Sequence, residues 1–539
     1  MAEEEPKKKR GVVKKILKWI GVGVLGLLII LGLIFQAPWK VIALLVVFLL
    51  AHTVLPRGGL KWFWAGVGVV VIALIIWVFL PEDDTGWRPY TFDEELAALE
   101  AKYAIPDEEN AARIYNELLE SYDSNSYYAG LEEGEADKIP MREPWLGEEH
   151  PQIAAWVEGH KTTISKLLSA AAMEECRFPI NADPFSLDDT MDRLPLMRKW
   201  AYLLISAVSN DMAEVRSGEG LKKLVTLLQM GKHQRQQASL VEFLVGVAIE
   251  ALAIDQFKRF IVTGDATEED LAAIEKTLEA IKYDWSTDFP RFIEYEKLLH
   301  KNFLGMFYVV NPEGRIRLNP GVAMRAMIAQ LPEDAKEEIG DKARLRYWRR
   351  KLMKAHTILA WFYMPSTPQK AAEIIDASFA RYDAMAEPDF DWQKEPQKPA
   401  KIFRLNYTYL VEHLTEVLAP AYQRIHEVYL RVKSDKRGSR IMVALRRYKN
   451  ANGRWPDNLD EVRQFASEEI FIDPINGGLF VYRLTDDGFI LYSRGANRID
   501  EGGLYESHWP NEAQPDDRLI WPQRTRDCDT EEESADDEQ

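Results

Sequence analysis

Three apolar runs fill most of the first 80 residues and restrict the fold of this chain more than any other feature. The first run, residues 16–35, contains no acidic residue and only Lys18 near its start. The second, residues 39–55, is shorter, and the third, residues 62–80, has tryptophan near both ends, as membrane interfaces favour. Each run reaches about the length that a helix needs to cross a bilayer. The sequence therefore predicts three transmembrane helices within residues 13–82.

The basic residues around these runs predict the orientation of the chain. Six lysines and arginines precede the first run, two lie between the second and third, and one lies in the first loop. The positive-inside rule places the basic segment 1–12 in the cytoplasm, and three crossings then deliver the rest of the chain to the far side. A re-entrant second run would instead leave the body in the cytoplasm. A cleaved signal peptide is the third reading, but the first run is too long for one and no small-residue cleavage site follows it.

Charge and cysteine content exclude several classes of protein. The total charge is −18, whereas residues 1–80 carry ten basic residues against three acidic ones, so the rest of the chain carries −25. Such an acidic body repels nucleic acid, and no nucleic-acid partner is expected. The two cysteines, Cys176 and Cys528, exclude a disulfide framework, although a single bond between them stays open.

Residues 83–418 predict a large α-helical domain, a bundle or a short solenoid without a fixed repeat. Its most informative stretch is SLVEFLVGVAIEALAIDQFKRFIV, in which Ser239 and Glu242 form a capping-box pattern. The following helix is apolar on nearly all sides, so most of its surface must be buried. Because Glu250 interrupts the apolar run, the pattern indicates a core helix and not a fourth span.

Three residues of this body are candidates for catalysis. Glu250 lies in the core helix, and Glu296 and His300 are four residues apart, on one face of another helix. A buried carboxylate–histidine site could perform acid–base chemistry or hold a metal. The alternative is a carboxylate bonded to a neighbouring helix together with an ordinary i,i+4 pair. IHEVYL at Ile425 lacks the second histidine of a zinc-protease helix, and the chain has no nucleophile elbow, P-loop or dinucleotide fingerprint.

One strongly basic stretch, KARLRYWRRKLMKAH at 342–356, lies within the acidic body. It is compatible with a polyanion or membrane contact, whereas a salt-bridged helix face is the alternative that an acidic body favours.

Residues 419–524 predict an α+β module. Ile441, Ala444, Leu445 and Tyr448 form one apolar helical stripe, and Gly453 supplies the stop. LFVYRLTDDGFILYS then has two runs of bulky strand formers around a Thr-Asp-Asp-Gly turn. The pattern predicts a long helix packed across a small antiparallel sheet.

The order of motifs between residues 444 and 522 resembles the globular domain of the type II secretion major pseudopilin. These motifs are ALRRYKNANGRWPDNLDEV, IDPINGGLFVYRL, GFILYSRGANRIDEGG and DDRLIWP. The whole chain resembles a bacterial envelope family that joins a helical body to such a module, and in which stretches like SLVEFLVGVAIEALAIDQF recur. The resemblance implies a multi-pass protein of the bacterial inner membrane with its body on the periplasmic side.

The resemblance also implies a calcium site, because the pseudopilin loop and a later acidic pair fold around this ion. The matching positions here are Ser493, Asn497, Asp516 and Asp517, with Asp500 and Glu501 as nearby carboxylates. Asn497 stands where the family has an aspartate, and the insertion LYESHWPNEAQP precedes the acidic pair. The alternative is a metal-free loop held by hydrogen bonds between side chains and the main chain.

The predicted function is that of a membrane-anchored envelope protein acting as a non-catalytic scaffold or interaction partner. The last predicted span ends at residue 80 and the module begins at residue 419, which does not suit incorporation into a pseudopilin filament. Expected partners are the lipid bilayer and envelope or secretion-system proteins. The alternatives are an envelope enzyme with an acid–base or metal site in the helical domain, and an accessory component of a type II secretion or type IV pilus-like system. Residues 525–539 predict an acidic, disordered tail.

Overall fold

The computed structural model shows a mainly α-helical protein with two small antiparallel sheets of three strands each. The structure describes residues 19–20, 22–31, 33, 39–79, 86–123, 127–128, 131, 143–182, 188–319, 364–387, 390–392, 407–486, 488–505 and 515–522. The basic stretch 342–356, the segment 1–12, Cys528 and the predicted tail 525–539 lie outside these residues.

The long helices and the strands are numbered here in chain order. The helices are α1 (Trp39–Val54), α2 (Arg57–Phe79), α3 (Asp93–Lys102), α4 (Ala112–Glu120), α5 (Pro151–Gly159), α6 (Lys161–Ala171), α7 (Asp188–Ala213), α8 (Ser217–Arg235), α9 (Leu240–Thr263), α10 (Glu268–Ala280), α11 (Trp285–Gly305), α12 (Pro368–Phe379) and α13 (Tyr407–Asn452). The strands are β1 (Arg88–Pro89), β2 (Tyr308–Val310), β3 (Ile316–Leu318), β4 (Val481–Thr485), β5 (Gly488–Ser493) and β6 (Arg518–Trp521). Short 3-10 helices lie at Asp107–Glu109, Ala380–Ala386, Leu459–Phe465 and Glu468–Phe471.

The chain divides into two compact units, each assembled from separate segments. The first unit comprises Met1–Leu99, Asn181–Leu187 and Ile293–Ala421, and the second comprises Glu100–Ile180, Asp188–Phe292 and Tyr422–Gln539. The C-terminal module therefore belongs to the same unit as the core helices α7 to α10.

Helices α1 and α2 coincide with the second and third apolar runs, whereas the first run is described only in part. The ring of Phe48 packs against Phe63 and Trp64, with ring centroids 5.6 and 5.5 Å apart. Many other long apolar side chains of these helices are exposed, among them Leu44, Val47, Leu50, Val69, Val70, Ile72 and Ile76. Within the described residues, no helix combines the length and the apolar character needed to cross a lipid bilayer.

The rest of the first unit contains a sheet that the sequence pattern does not indicate. Strands β2 and β3 form a hairpin around Asn311 and Gly314, whose φ is +77°, and β1 pairs with the outer edge of β2. The sequence predicts an α-helical domain for residues 83–418, because strands of only three residues are too short to give a recognisable alternation. The amide of Asn302 binds both the Phe92 main-chain N–H and the Ala182 carbonyl.

The second unit is built around the predicted core helix α9. The Ser239–Glu242 capping box is confirmed, since the Ser239 hydroxyl accepts the Glu242 N–H and the Glu242 carboxylate accepts the Ser239 N–H. Residues at helical spacing along α9, including Phe243, Ile254 and Phe257, are at most 1% exposed. This helix packs against α8 and α7.

The C-terminal module has the predicted long helix and hairpin. Gly453 ends α13 with φ at +74°, and its N–H donates to the Lys449 carbonyl at 2.7 Å. Strands pair antiparallel in the order β4-β5-β6. The sheet lies directly on the helix at Gly438, where a Cβ atom would approach Ile520 to 2.5 Å. No residue larger than glycine fits at this position of α13.

His426, from the IHEVYL motif, is half-buried, and Cys176 is buried. His426 lies against the rings of Trp285, at 4.8 Å between centroids, and Tyr429, at 6.3 Å. Burial lowers its pKa to about 4, so the ring is neutral at pH 7. Cys176 is a buried free thiol, and burial raises its pKa above the ordinary range. A thiol of this kind is a poor nucleophile.

Candidate functional site

Glu250, the first candidate of the sequence analysis, is completely buried in the second unit. Its Oε1 accepts a hydrogen bond from Nε of Arg235 at 3.2 Å, and its Oε2 accepts one from the hydroxyl of Tyr283 at 2.6 Å. Arg235 also donates from Nη1 to Asp288 at 2.8 Å and from Nη2 to the Lys282 carbonyl at 3.0 Å. Both oxygens of Glu250 are thus bonded to protein groups.

Two glycines make this arrangement possible where α8 and α9 cross. A Cβ atom on Gly231 would approach Cγ of Glu250 to 2.5 Å, and one on Gly246 would approach the Arg235 nitrogen to 2.4 Å. The helices therefore meet backbone to backbone, and the side chain of Glu250 occupies the space that a larger residue at position 231 would fill.

The electrostatics of this cluster are those of a structural ion pair. Burial alone would lower the pKa of Arg235, but the carboxylates of Glu250 and Asp288 outweigh it and raise that pKa. Burial, followed by the neighbouring Glu250 carboxylate, raises the pKa of Tyr283 well above its usual value. A charged guanidinium held by two carboxylates is costly to disrupt and leaves no free base for a substrate.

Glu296 and His300 belong to the first unit and make different contacts. The ring of His300 lies 5.2 Å from that of Phe379, and its Nδ1 is 2.7 Å from the main-chain carbonyl of Glu296. Because a carbonyl can only accept, Nδ1 carries the hydrogen and Nε2 is the basic atom. The hydrogen bond of this i,i+4 pair therefore joins the His300 ring to the main-chain carbonyl of Glu296.

Burial shifts the pKa of both side chains of this pair in the direction that favours the uncharged form. Burial raises the pKa of Glu296 to about 7. Burial lowers the pKa of His300, and the bond to the Glu296 carbonyl opposes this shift. A carboxyl with such a pKa is suited to proton transfer near neutral pH, although burial without an ion partner produces the same shift.

A second buried ion cluster, which the sequence analysis did not indicate, joins the helices to the C-terminal sheet. Lys258 of α9 donates to Oδ1 of Asp435 on α13 at 3.0 Å, and Arg518 of β6 binds the other oxygen of Asp435. Lys258 and Asp435 are 2% and 4% exposed. Burial opposes the charge of Asp435, but the two cations prevail and lower its pKa. A lysine near the end of a mostly apolar helix is the sequence signal for this cluster.

The predicted calcium loop brings Asp516 and Asp517 to the main chain of residues 495–503. Oδ2 of Asp516 accepts the N–H groups of Ala496 at 2.7 Å and Asn497 at 3.2 Å. Oδ2 of Asp517 accepts the N–H groups of Glu501 at 2.9 Å and Gly503 at 2.8 Å. The acidic pair thus holds the loop closed through four hydrogen bonds to its backbone.

The remaining predicted ligands of this loop point to protein partners. Asn497 donates from Nδ2 to Glu501 at 2.6 Å. Asp500 accepts from the Tyr492 hydroxyl at 2.6 Å and from Arg483 at 3.0 Å, and these bonds lower its pKa.

Ser493 takes part in a different buried cluster, centred on Asp473. The Ser493 hydroxyl donates to Asp473, which is fully buried and also accepts from Ser434 at 2.9 Å and Asn476 at 2.8 Å. Asp473 and Asn476 come from the IDPINGG motif, and they tie the start of the sheet to α13.

The chemistry of the loop suits calcium only in part. Carboxylate oxygens are the ligands that this ion prefers, and Oδ1 of Asp516 and Oε2 of Glu501 are buried without a hydrogen-bond partner in the described part of the chain. Among those same residues, however, no three acidic, histidine or cysteine side chains are grouped so that they could hold a metal ion. The arrangement fits the metal-free loop, and calcium binding stays a prediction.

Comparison of the chain with family models, curated proteins and solved structures gave no match in any of the three. The pseudopilin resemblance therefore rests on the order of its short motifs and carries no assignment of family.

Proposed function

We propose that this protein is anchored in the bacterial inner membrane and acts as a non-catalytic scaffold or interaction partner in the cell envelope. The proposal has three parts, namely the anchor, the absence of a catalytic role for Glu250, and the fixed position of the C-terminal module within its unit.

The observation that carries the proposal is the exposed apolar surface of α1 and α2. Leu50, Val69 and Ile76 are each more than half exposed, and similar side chains accompany them along both helices. A surface of this size and composition needs a partner. A lipid bilayer supplies one that covers both helices at once, because their described polar side chains are few.

The absence of a catalytic role for Glu250 is supported by the hydrogen bonds that the buried charged groups make. Glu250 is bonded to Arg235 and Tyr283, and Asp435 is bonded to Lys258 and Arg518. Groups that are bonded in this way stabilise a defined arrangement of helices, and they are poorly placed to exchange protons with a substrate.

The fixed position of the C-terminal module within its unit is supported by the contacts of α13. Its residues Asp435, Arg440 and Arg447 form ion pairs with α9 and α10, and Asn450 donates to the Ala266 carbonyl at 3.0 Å. A pseudopilin-like module held in this way presents a rigid surface and is not free to pack as one subunit of a filament. Rigidity of this kind suits a scaffold.

Protease treatment of intact spheroplasts tests the location. With a tag placed after Gln539, added protease is expected to remove the tag while a cytoplasmic control protein survives. Retention of the tag under conditions that digest a periplasm-facing control would place the body in the cytoplasm and reject the proposal. Replacing Val70 and Ile72 by lysine should weaken the attachment of the protein to membranes, whereas the same change at exposed Leu479 and Leu484 of the module should not.

A second candidate function is an envelope enzyme, and the specific observation in its favour is the Glu296–His300 pair. The raised pKa of Glu296 and the basic Nε2 of His300 are suited to acid–base chemistry. The third candidate, an accessory role in a secretion or pilus-like system, is supported by the pseudopilin-like motifs alone. It predicts co-purification with a secretion ATPase or an outer-membrane channel.

A further inference from the structure

Lys433, Lys436 and Arg437 of α13 form what we call the cationic face. Their spacing, i, i+3 and i+4, places them on one side of the helix, and all three are half-buried. Lys436 donates to the Ile281 carbonyl, and Arg437 donates to the Ile472 carbonyl at 2.7 Å. Nζ of Lys433 and Nζ of Lys436 lie 5.8 and 5.6 Å from the centroids of tyrosine rings.

None of the three cations forms an ion pair with a carboxylate of the described residues. The next basic residues of the same helix behave differently. Arg440 pairs with Glu279 and, at 3.4 Å, with Glu469, and Arg447 pairs with two acidic residues of α10. The cationic face is thus a stretch of α13 where main-chain carbonyls and aromatic rings replace counter-charges.

The nearest acidic residues are engaged with other groups. Asp284 accepts hydrogen bonds from two hydroxyls at the start of α11, at 2.6 and 2.8 Å. Glu250 belongs to the Arg235 cluster, Glu469 pairs with Arg440, and Asp473 holds Ser434 and its neighbours. Each of them raises the pKa of one of the three cations, Asp284 that of Lys433, Glu250 that of Lys436, and Glu469 and Asp473 that of Arg437, but none forms an ion pair with it among the described residues.

The three cations are consequently held close together at an electrostatic cost. Burial, and then repulsion by Arg440 and by the other two cations, lowers the pKa of Lys436 to about 8, although the Glu250 carboxylate opposes this shift. The pKa of Lys433 is lowered by burial and by Arg437. An anion bound between them would offset this cost, because each cation would gain a partner of opposite sign.

Each of these side chains keeps unused hydrogen-bond donors. An ammonium group has three N–H donors and a guanidinium has five, and the bonds described above use one on Lys436 and one on Arg437. We propose that the cationic face binds a phosphoryl group, carried either by a soluble phosphate ester or by a lipid headgroup. A phosphoryl group has about two negative charges and three free oxygens, which matches three cations within one helical turn better than a carboxylate does.

The site is a local exception in an acidic chain. A total charge of −18 disfavours anions at long range, but screening at physiological ionic strength confines such repulsion to about 8 Å. Contacts with three partly desolvated cations therefore decide whether an anion binds at this face.

Titration of the full-length protein with inorganic phosphate tests the proposal. The protein is held in phosphatidylcholine nanodiscs, and binding is followed by calorimetry. The test variant combines Lys433→Gln, Lys436→Gln and Arg437→Gln. The control combines Lys161→Gln, Lys222→Gln and Arg454→Gln, which remove the same charge from exposed ion pairs elsewhere in the unit.

We expect wild type to bind phosphate, the test variant to bind at least about tenfold more weakly, and the control to match wild type. No binding to wild type, or an equal loss in both variants, would overturn the proposal, the second result meaning that only net charge matters. Circular dichroism checks that each variant folds. Lys436→Arg, which keeps the charge, should retain binding even if the triple variant is unstable.

Nanodiscs that contain phosphatidic acid distinguish the two sources of the phosphoryl group. Weaker binding of inorganic phosphate in these discs means that the headgroup occupies the cationic face. Unchanged binding assigns the face to a soluble phosphate ester. The same comparison with the test variant should show no difference between the discs.

Discussion

Gly246 of α9 lies so close to Arg235 of α8 that a Cβ atom on it would stand 2.4 Å from the Arg235 main-chain nitrogen. The same crossing places the Arg235 guanidinium within hydrogen-bond distance of Glu250, one turn further along α9. Close backbone contact and the buried ion cluster are therefore two parts of one arrangement, and each depends on the other.

Gly246→Ala is expected to destabilise the protein by about 2–3 kcal/mol, because the added methyl group meets main-chain atoms that cannot move aside separately. Urea unfolding followed by circular dichroism measures the change. Gly218→Ala in the first turn of α8 is the control, since a Cβ atom there has no neighbour within 4 Å and alanine favours the helix. Equal stability of Gly246→Ala and Gly218→Ala would contradict the backbone contact.

Glu250→Ala is expected to cost about 3–5 kcal/mol, because among the described residues it leaves the buried Arg235 with Asp288 alone as a carboxylate partner. The free energy of unfolding measures this loss. The matched control is Glu219→Gln, which removes an exposed carboxylate paired with Lys222 at 2.7 Å and should leave the stability nearly unchanged. A loss of activity without a loss of stability at position 250 would instead favour the enzyme hypothesis.

Short-range sequence signals were sufficient to predict the start of α9, the end of α13 and the hairpin of the C-terminal module. Ser239 and Glu242 predicted the start of α9 because a capping box is formed by residues three apart. Gly453 predicted the end of α13 because a left-handed conformation favours glycine. The strands around the Thr-Asp-Asp-Gly turn followed from alternating bulky residues, and β4 and β5 pair in that register.

The partners of the buried charges could not be predicted in the same way. The sequence placed Glu250 in the core, but its partners come from α8 and from the segment before α11. Lys258 and Asp435 are 177 residues apart, and no local pattern relates them. Strand β1 has only two residues, so its pairing with β2 depends on tertiary contacts. Pairings between residues this far apart in the sequence can be predicted only from the folded structure, because many side chains of complementary charge are available.

Addition of calcium or of a chelator is expected to leave the thermal stability unchanged, because Asp516 and Asp517 already bind four main-chain N–H groups of the loop. Differential scanning calorimetry with millimolar calcium and with chelator measures this. A melting temperature that rises steadily with calcium concentration would show binding to the folded state and support the site that the resemblance implies.

Asp516→Ala should destabilise the module by about 1–3 kcal/mol with or without calcium, since two N–H groups lose their acceptor. Asp486, an acidic residue of the hairpin turn, provides the control through Asp486→Ala, which should leave the stability nearly unchanged. A destabilisation by Asp516→Ala that appears only in the presence of calcium would contradict the metal-free loop.

The Glu296 carboxyl makes the stability of the protein depend on pH. Its pKa is about 7 in the folded state against an ordinary value of 4.5, so the folded protein holds its proton more tightly than the unfolded chain. The protonated Glu296 carboxyl therefore adds to the free energy of unfolding. This stabilisation is fully present below pH 4.5, and it is lost as the pH rises through about 7. Glu296→Gln, which cannot ionise, should therefore gain stability relative to wild type across this window, by about 2–3 kcal/mol in total.

Unfolding free energies of both proteins between pH 4 and pH 8 check this expectation, because other titrating groups are common to both and cancel in the difference. His300 has the opposite dependence, since its lowered folded pKa reduces stability as the pH falls below 6.5. A flat difference for Glu296→Gln would show that Glu296 titrates normally, which would remove the main support for an acid–base role of the Glu296–His300 pair.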